Sequence, residues 1–226
     1  MILAAGRGER MRPLTDTCPK PLLAVRGKPL MQYHMEALVR AGFGELVVNT
    51  GWLGDQIEQR FGREHEGARI HYSHEGRDFG GPIETAGGIA RALPMLDACF
   101  WIVAGDVFVP GFEFAREKLE RFAAGDALAH LVLVPNPAHN TKGDFGLEGE
   151  RVVNEAPQRH TYSTIGLYRR TLFSSLPAGN PQGIKAALAP LLRTAIAEGR
   201  VTGELYTGEW TDVGTPERLA ALNAGG

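Results

Sequence analysis

Cysteine is almost absent from these 226 residues: Cys18 and Cys99 are the only two, too few for a disulfide framework and without zinc-site spacing. Charge of one sign is not in excess either. Lys and Arg total 24 against 26 Asp and Glu, a formal charge of −2, which leaves no basic footprint for nucleic acid. No apolar run approaches the roughly 20 residues needed to cross a bilayer, and no signal peptide opens the chain. Internal repeats, linkers and low-complexity segments are also missing. These absences exclude a membrane span and a nucleic-acid platform and point to a cytoplasmic protein. What is present is ordinary for a folded chain, with 43% hydrophobic and 22% charged residues, and the length suits one domain with a full core. The 29 glycines and 14 prolines fit many short turns between elements.

Apolar spacing predicts the elements. Ile2 and Leu3 end a short strand, and Pro29 opens a helix whose buried face is Leu30, Tyr33, His34, Ala37, Leu38 and Ala41. Strands follow over 45–50 and 68–72, with a helix from Gly54 to Phe61 between them, and a short helix follows Gly87-Gly88. Residues 99–104 form a continuous apolar run, as expected of a strand buried on both faces. A helix over 113–123 and a strand over 129–134 complete the first half. The second half predicts a hairpin turning at Glu148-Gly149, a strand over 162–168, a helix over 185–198, strands near 201–206 and 210–212, and a helix from Pro216. The expected fold class is α/β: a mixed, largely parallel central sheet flanked by helices, one domain over 1–226.

The chemistry concentrates in the first thirty residues. Leu3-Ala4-Ala5-Gly6-Arg7-Gly8-Glu9-Arg10 runs from strand into a glycine- and arginine-bearing loop, followed by Pro19-Lys20-Pro21-Leu22 and Gly27-Lys28-Pro29-Leu30. Glycines let backbone N–H groups approach an anion, and arginine adds forked, permanently charged donors for phosphate oxygens. The same composition also occurs in ordinary solvated turns. It is not a dinucleotide fingerprint, because Met11 stands where the third glycine belongs, nor a P-loop, because Pro29 follows Gly27-Lys28. Asp106 closes the buried 99–104 strand, at the end where open α/β sheets place ligands, and would suit Mg²⁺; a turn cap is the local alternative. Asp212, in Trp210-Thr211-Asp212-Val213-Gly214, is its natural partner, with a helix-entry role as the local alternative. His71 and His74 lack a third ligand, Ser163, Ser174 and Ser175 are in no nucleophile elbow, and Trp52, Trp101 and Trp210 read as packing residues. Lys142 and Lys185 read as solvated.

Taken together, L-A-A-G-x-G-x-R, P-K-P-L and G-x-P-L closely resemble the sugar-1-phosphate nucleotidylyltransferases, over nearly the whole chain. That resemblance implies the nucleotide-diphospho-sugar transferase (GT-A/Rossmann-like) fold, with a nucleotide half over about 1–134 and a sugar half over about 135–226. It implies Mg²⁺ held by Asp106 and Asp212, and nucleotide contacts from Leu3, Ala4, Gly6, Gly8, Glu9, Arg10, Lys20, Gly87 and Gly88. Arg10 would hold the leaving β- and γ-phosphates, and Lys20 would touch the α-phosphate or the acceptor phosphate, which with Asp106 makes them the catalytic residues. Sugar contacts would come from Ala104, Asp144, Gly146, Glu155, Thr164 and Gly166. Two positions depart from the family pattern: Ala156 replaces a usual lysine, and Ala104 a frequent asparagine. The implied substrates are small molecules, UTP and N-acetylmuramate α-1-phosphate, with UDP-N-acetylmuramate made for peptidoglycan recycling. Alternatives are mannose-, heptose- or glucose-1-phosphate transfer with GTP, UTP or dTTP, and, from another class, a non-catalytic nucleotide sensor. No hexapeptide repeat follows the second aspartate motif, so a monomer without an acetyltransferase domain is expected.

Overall fold

A computed structural model describes residues 1–225. Ten strands form one sheet in the order Phe145–Glu148, Arg151–Val153, Val201–Leu205, Ala129–Val134, Arg159–Arg169, Cys99–Ala104, Ile2–Ala4, Glu45–Thr50, Ala68–His74 and Glu64–His65. Ile2–Ala4 runs parallel to both its neighbours, Glu45–Thr50 and Cys99–Ala104, and Glu45–Thr50 runs parallel to Ala68–His74. Val201–Leu205 and Ala129–Val134 make a further parallel pair, whereas Arg159–Arg169 is antiparallel to both strands beside it. From the N-terminal strand the chain first builds outward on one side and later on the other. The carboxyl ends of Ile2–Ala4 and its neighbours therefore border a crevice at a topological switch point.

The strand over Cys99–Ala104 explains the layering. Phe100 and Ile102 point into one core with Ala86, Ile89 and Leu192, while Trp101 and Val103 point into the other with Met31, Leu38 and Ile57. Helices Leu30–Arg40, Gly54–Phe61 and Arg116–Ala124 cover the second face, and Thr85–Ala92 and Leu188–Ala197 the first. A small third core joins Met11 and Leu23 of the N-terminal loop to Phe108, Val213 and Leu219. Met11, where the dinucleotide fingerprint would carry glycine, is fully buried there.

Several boundaries differ from the sequence expectation for tertiary reasons. The helix expected from 113 begins at Arg116, because Phe112 and Phe114 lie edge-on to Trp101. The helix expected from 185 begins at Leu188, because Ala186 exchanges backbone hydrogen bonds with Ile83 and Gly87. The strand expected over 162–168 extends over Arg159–Arg169, with an irregular register between Tyr162 and Ile165. Helix Glu75–Phe79 was not expected at all.

Candidate active site

A cleft of about 790 Å³ opens at the switch point. Its first wall is the N-terminal loop. Gly8 has φ +68°, and a Cβ there would stand 3.1 Å from Thr15 Cγ2 and 3.3 Å from Lys20 Cβ, so both conformation and space call for glycine. At Gly6 nothing lies within 4 Å of a Cβ, which leaves open room beside the backbone. The arginines of the loop divide their work. Arg7 turns inward: it donates to the Thr15 carbonyl at 2.8 Å, pairs with Asp16 at 3.0 Å, and stacks 3.8 Å from the Trp52 ring centroid. Arg10 is exposed on the cleft wall with no ion-pair partner among the described residues.

Lys20, held between Pro19 and Pro21 in a single 3-10 turn, is buried and places Nζ 2.6 Å from Asp106 Oδ2. Just past Asp106, Val107–Phe108 pairs antiparallel with Thr211–Asp212, with Asp212 opposite Val107, and the Val213 amide donates to the Asp106 carbonyl at 3.2 Å. That two-residue ladder brings the two aspartates together from distant parts of the chain. Beneath it, His34 is fully buried with Nε2 2.9 Å from the Val107 carbonyl; desolvation pushes its pKa down to about 4. A neutral imidazole with its proton on Nε2 satisfies that carbonyl. The Asp212 carboxylate accepts from Arg218 at 2.8 Å, with His139 Nε2 at 3.4 Å.

Asp106 on the cleft wall and Asp212 next to it make a donor set of hard oxygens. Mg²⁺ is commonly held by one or two carboxylates, with phosphates and water completing its shell. No group of three His, Cys, Asp or Glu converges among the described residues, so a closed protein cage, as zinc or calcium would take, is not built. The residues fit Mg²⁺ shared with a substrate.

Toward the strands of the second half, the wall includes Ala104, Asp144, Phe145, Tyr162, Thr164, Leu188, Leu192 and Arg193. Asp144 is pinned by the Tyr162 amide at 2.8 Å and by Asn140 Nδ2 at 3.3 Å. Thr164 takes φ +66° in the irregular stretch of its strand. The structure brings Leu3, Ala4, Gly6, Gly8, Glu9, Arg10, Lys20, Ala104, Asp106, Asp144 and Thr164 to this one cleft.

Six other sequence-derived positions lie off its wall. A Cβ on Gly87 would stand 2.6 Å from the Ile184 carbonyl, and one on Gly88 would overlap Glu75 Oε1, so both glycines serve helix packing. Gly166 is mid-sheet, its Cβ position 2.8 Å from the His130 carbonyl, and a Cβ on Gly146 would meet Val153 Cγ2 at 2.7 Å. Glu155, with 81% of its side chain exposed, pairs with Arg159 at 3.4 Å over a separate hollow shared with Asn136 and Lys142. Asp212 does not itself reach the wall, but Gly214 does.

Sequence reasoning missed a buried polar chain in the wall itself, with Asn49 and Glu75 among the lining residues. Ala4 N–H donates to Asn49 Oδ1 at 2.8 Å, Asn49 Nδ2 donates to Glu75 Oε1 at 2.6 Å, and Ile83 N–H donates to Glu75 Oε2 at 2.9 Å. Burial raises the Glu75 pKa, against the pull of the Ile83 amide and Asn49. The available signal was Asn49 itself, a polar side chain directly after the apolar Leu46-Val47-Val48.

The sequence profile of the nucleotidyl transferase family matches residues 1–225. An N-acetylmuramate alpha-1-phosphate uridylyltransferase of Neisseria meningitidis serogroup B is 47% identical, over 99% of this chain and 96% of the relative. One of the same description from Caulobacter vibrioides is 32% identical, over 99% of this chain and 95% of its own length. A Bacillus anthracis crystal structure solved with sucrose superposes with a TM-score of 0.81 at 20% identity, covering 99% of this chain and 92% of that one, a likeness of fold alone.

Proposed function

The chain belongs to the nucleotidyl transferase family, and we propose that it joins the uridylyl group of UTP to N-acetylmuramate α-1-phosphate, giving UDP-N-acetylmuramate and pyrophosphate. The observation that carries this reading is that Arg10 and the Lys20–Asp106 pair line one cleft, with the Thr211–Asp212 ladder holding Asp212 next to Asp106 just behind its wall. The 47% identity along nearly the whole chain to a uridylyltransferase of that substrate supports the choice of base and sugar.

An oxygen of the sugar phosphate bonds to the α-phosphorus, the bond from that phosphorus to the β-phosphate oxygen breaks, and the electron pair leaves with pyrophosphate. The attacking phosphate is already an anion at neutral pH, so no side chain has to remove a proton. Catalysis is then alignment and charge stabilisation. Repulsion between two charges at ~4 Å is about 4 kcal/mol at an effective dielectric of 20, and several such pairs meet here. Arg10 offsets the charge growing on pyrophosphate, and Lys20 that on the reacting phosphates. Backbone groups at Leu3, Ala4, Gly6 and Gly8, with Glu9 beside them, line the nucleotide side. Gly87 and Gly88 act indirectly, by letting their helix seat against Glu75. Asp106 and Asp212 would hold Mg²⁺, which supplies further positive charge at the phosphates.

On the sugar side Asp144 and Thr164 accept hydroxyls and Ala104 borders the junction, while Gly146 and Gly166 let the supporting strands close up. Glu155 has no part in this reading. The halves over 1–134 and 135–226 act as nucleotide and sugar halves of one domain, in a monomer that works in the cytoplasm on sugars recovered from peptidoglycan. No helix among the described residues is long and apolar enough to cross a membrane.

The test is pyrophosphate release across a panel of nucleoside triphosphates and sugar 1-phosphates. UTP with N-acetylmuramate 1-phosphate is expected to give the highest kcat/KM. Turnover of mannose 1-phosphate with GTP, and none of the muramate, would overturn the substrate assignment. Binding of UTP without turnover of any sugar phosphate would instead mark a sensor.

A further inference from the structure

Three cationic side chains line the cleft among the described residues: Arg10, Lys20 and Arg193. Arg10 and Lys20 come from the N-terminal loop, and Lys20 is already paired with Asp106. Arg193 comes from the other end of the chain, on helix Leu188–Ala197. The strand Phe145–Glu148, over which it lies, also pairs directly with Arg159–Arg169, so that strand and Cys99–Ala104 stand between it and the N-terminal strand. Its guanidinium carbon sits 5.2 Å from the Phe145 ring centroid. Nη1 lies 3.5 Å from Asn154 Oδ1, and Asn154 Nδ2 in turn donates to the Arg193 carbonyl at 3.0 Å. One face of the guanidinium is thus covered and one corner tethered. The edge carrying Nε and Nη2 has no carboxylate or carbonyl partner among the described residues.

Resting on the substrate reading above, we infer that Arg193 recognises the carboxylate of the sugar substrate and thereby selects N-acetylmuramate 1-phosphate over the analogue that lacks it, N-acetylglucosamine 1-phosphate. N-acetylmuramate differs from N-acetylglucosamine by a lactyl ether on O3, whose carboxylate is ionised at neutral pH. Carried into a wall that includes Phe145, Leu188 and Leu192, that anion loses water and needs an opposing charge. The forked edge of an arginine matches a carboxylate in two parallel hydrogen bonds, and a stacked guanidinium loses little freedom in making them. Asp144, the acidic group on this part of the wall, has the wrong sign to receive a carboxylate; held by Asn140 and the Tyr162 amide, it keeps acceptor capacity for hydroxyls. A cation without a carboxylate partner, away from the phosphate-side cations, is what a substrate with a second anionic group calls for.

The test compares kcat/KM, with UTP, for N-acetylmuramate 1-phosphate, its lactyl methyl ester and N-acetylglucosamine 1-phosphate. Arg193→Met keeps an apolar stem over Phe145 and removes the charge. It is expected to lower kcat/KM for the free muramate by about 10- to 100-fold, chiefly through KM, as loss of a charged hydrogen-bond pair does. The ester and N-acetylglucosamine 1-phosphate should stay within about threefold, a difference too small for a lost charged pair. Arg193→Lys should recover part of the loss. Equal losses on all three substrates, or undiminished muramate turnover in Arg193→Met, would overturn the assignment while leaving the substrate reading standing. A wild-type enzyme that ignores the muramate and uses another sugar phosphate would overturn both, a pattern distinct from either of those.

Discussion

Gly88→Ala is a sharp probe of how the cleft wall around Ala4 and Asn49 is held. Gly88 lies in helix Thr85–Ala92, where alanine is normally better than glycine by about 1 kcal/mol. Here the added methyl would overlap Glu75 Oε1 and stand 3.0 Å from Asn49 Nδ2. Glu75 is 1% exposed and is tied by Asn49 and the Ile83 amide, so it cannot swing into water. Losing or distorting two hydrogen bonds to a buried carboxylate costs about 1.5–3 kcal/mol each. Set against the helix gain, Gly88→Ala should destabilise the fold by about 2–5 kcal/mol, a large share of a typical total of about 5–15 kcal/mol. Urea unfolding measures that loss directly. Because Asn49 also holds the Ala4 amide on the cleft, KM for UTP should rise as well. Glu75→Ala supplies the control: it vacates the space, so Gly88→Ala in that background should be neutral or slightly stabilising, leaving a non-additivity of about 2–5 kcal/mol. Strict additivity, or a Gly88→Ala protein as stable as the wild type, would refute the packing argument.

Asp106→Ala should lower Mg²⁺-dependent turnover by at least ~100-fold, on the scale of removing a charge stabiliser from a transition state, while far-UV circular dichroism stays unchanged; full activity would remove Asp106 from the metal site. Gly8→Ala should cost about 1–2 kcal/mol for its left-handed backbone and raise KM for UTP, because the methyl presses on Thr15 and Lys20. His130 is held by Thr202, and its pKa is lowered by burial, with Lys118 adding and Glu204 and Glu150 opposing. The unfolded chain therefore takes up a proton that the folded one refuses. Stability should fall as pH drops below about 6.5, the ordinary histidine value, and His130→Gln should make that limb of a pH series of urea melts shallower, the remainder belonging to His34.

The elements that sequence patterning made legible are those whose burial is decided locally. The run over 99–104 reads as a strand because every residue in it is apolar, and Cys99–Ala104 is that strand, with alternate side chains in two cores. The helix after Pro29 follows equally from spacing and runs over Leu30–Arg40. Pairings between distant segments are not written this way. The strand near 210–212 is legible, but its partner is not: only the third core, with Phe108 and Val213 packed on Met11, pairs Thr211–Asp212 with Val107–Phe108. Helix starts at 113 and 185 were misplaced for the same reason: contacts with Trp101 and with Ile83 outweigh local propensity.

The site was legible where one short stretch carries its own chemistry, and illegible where ordinary residues are made special by position. Arg10, Lys20 and Asp106 stand in compact motifs, and all three reach the cleft. Asn49, Glu75 and Arg193 have no motif, and each matters through what the fold sets beside it. The glycines make the distinction sharpest. A glycine in a sequence reports that something comes close to the backbone, but not whether that something is ligand or protein. At Gly88 it is Glu75, at Gly87 the Ile184 carbonyl and at Gly166 the His130 carbonyl, so those three are spoken for by the fold itself. At Gly6 nothing of the protein comes within 4 Å. Its missing side chain is therefore unexplained by packing, and it sits on the wall where a triphosphate would have to approach the backbone. Gly6→Ala should accordingly leave the melting curve unchanged and raise KM for UTP, the reverse weighting of Gly88→Ala, and a variant that destabilised the fold without touching KM would show that Gly6 too answers to the protein.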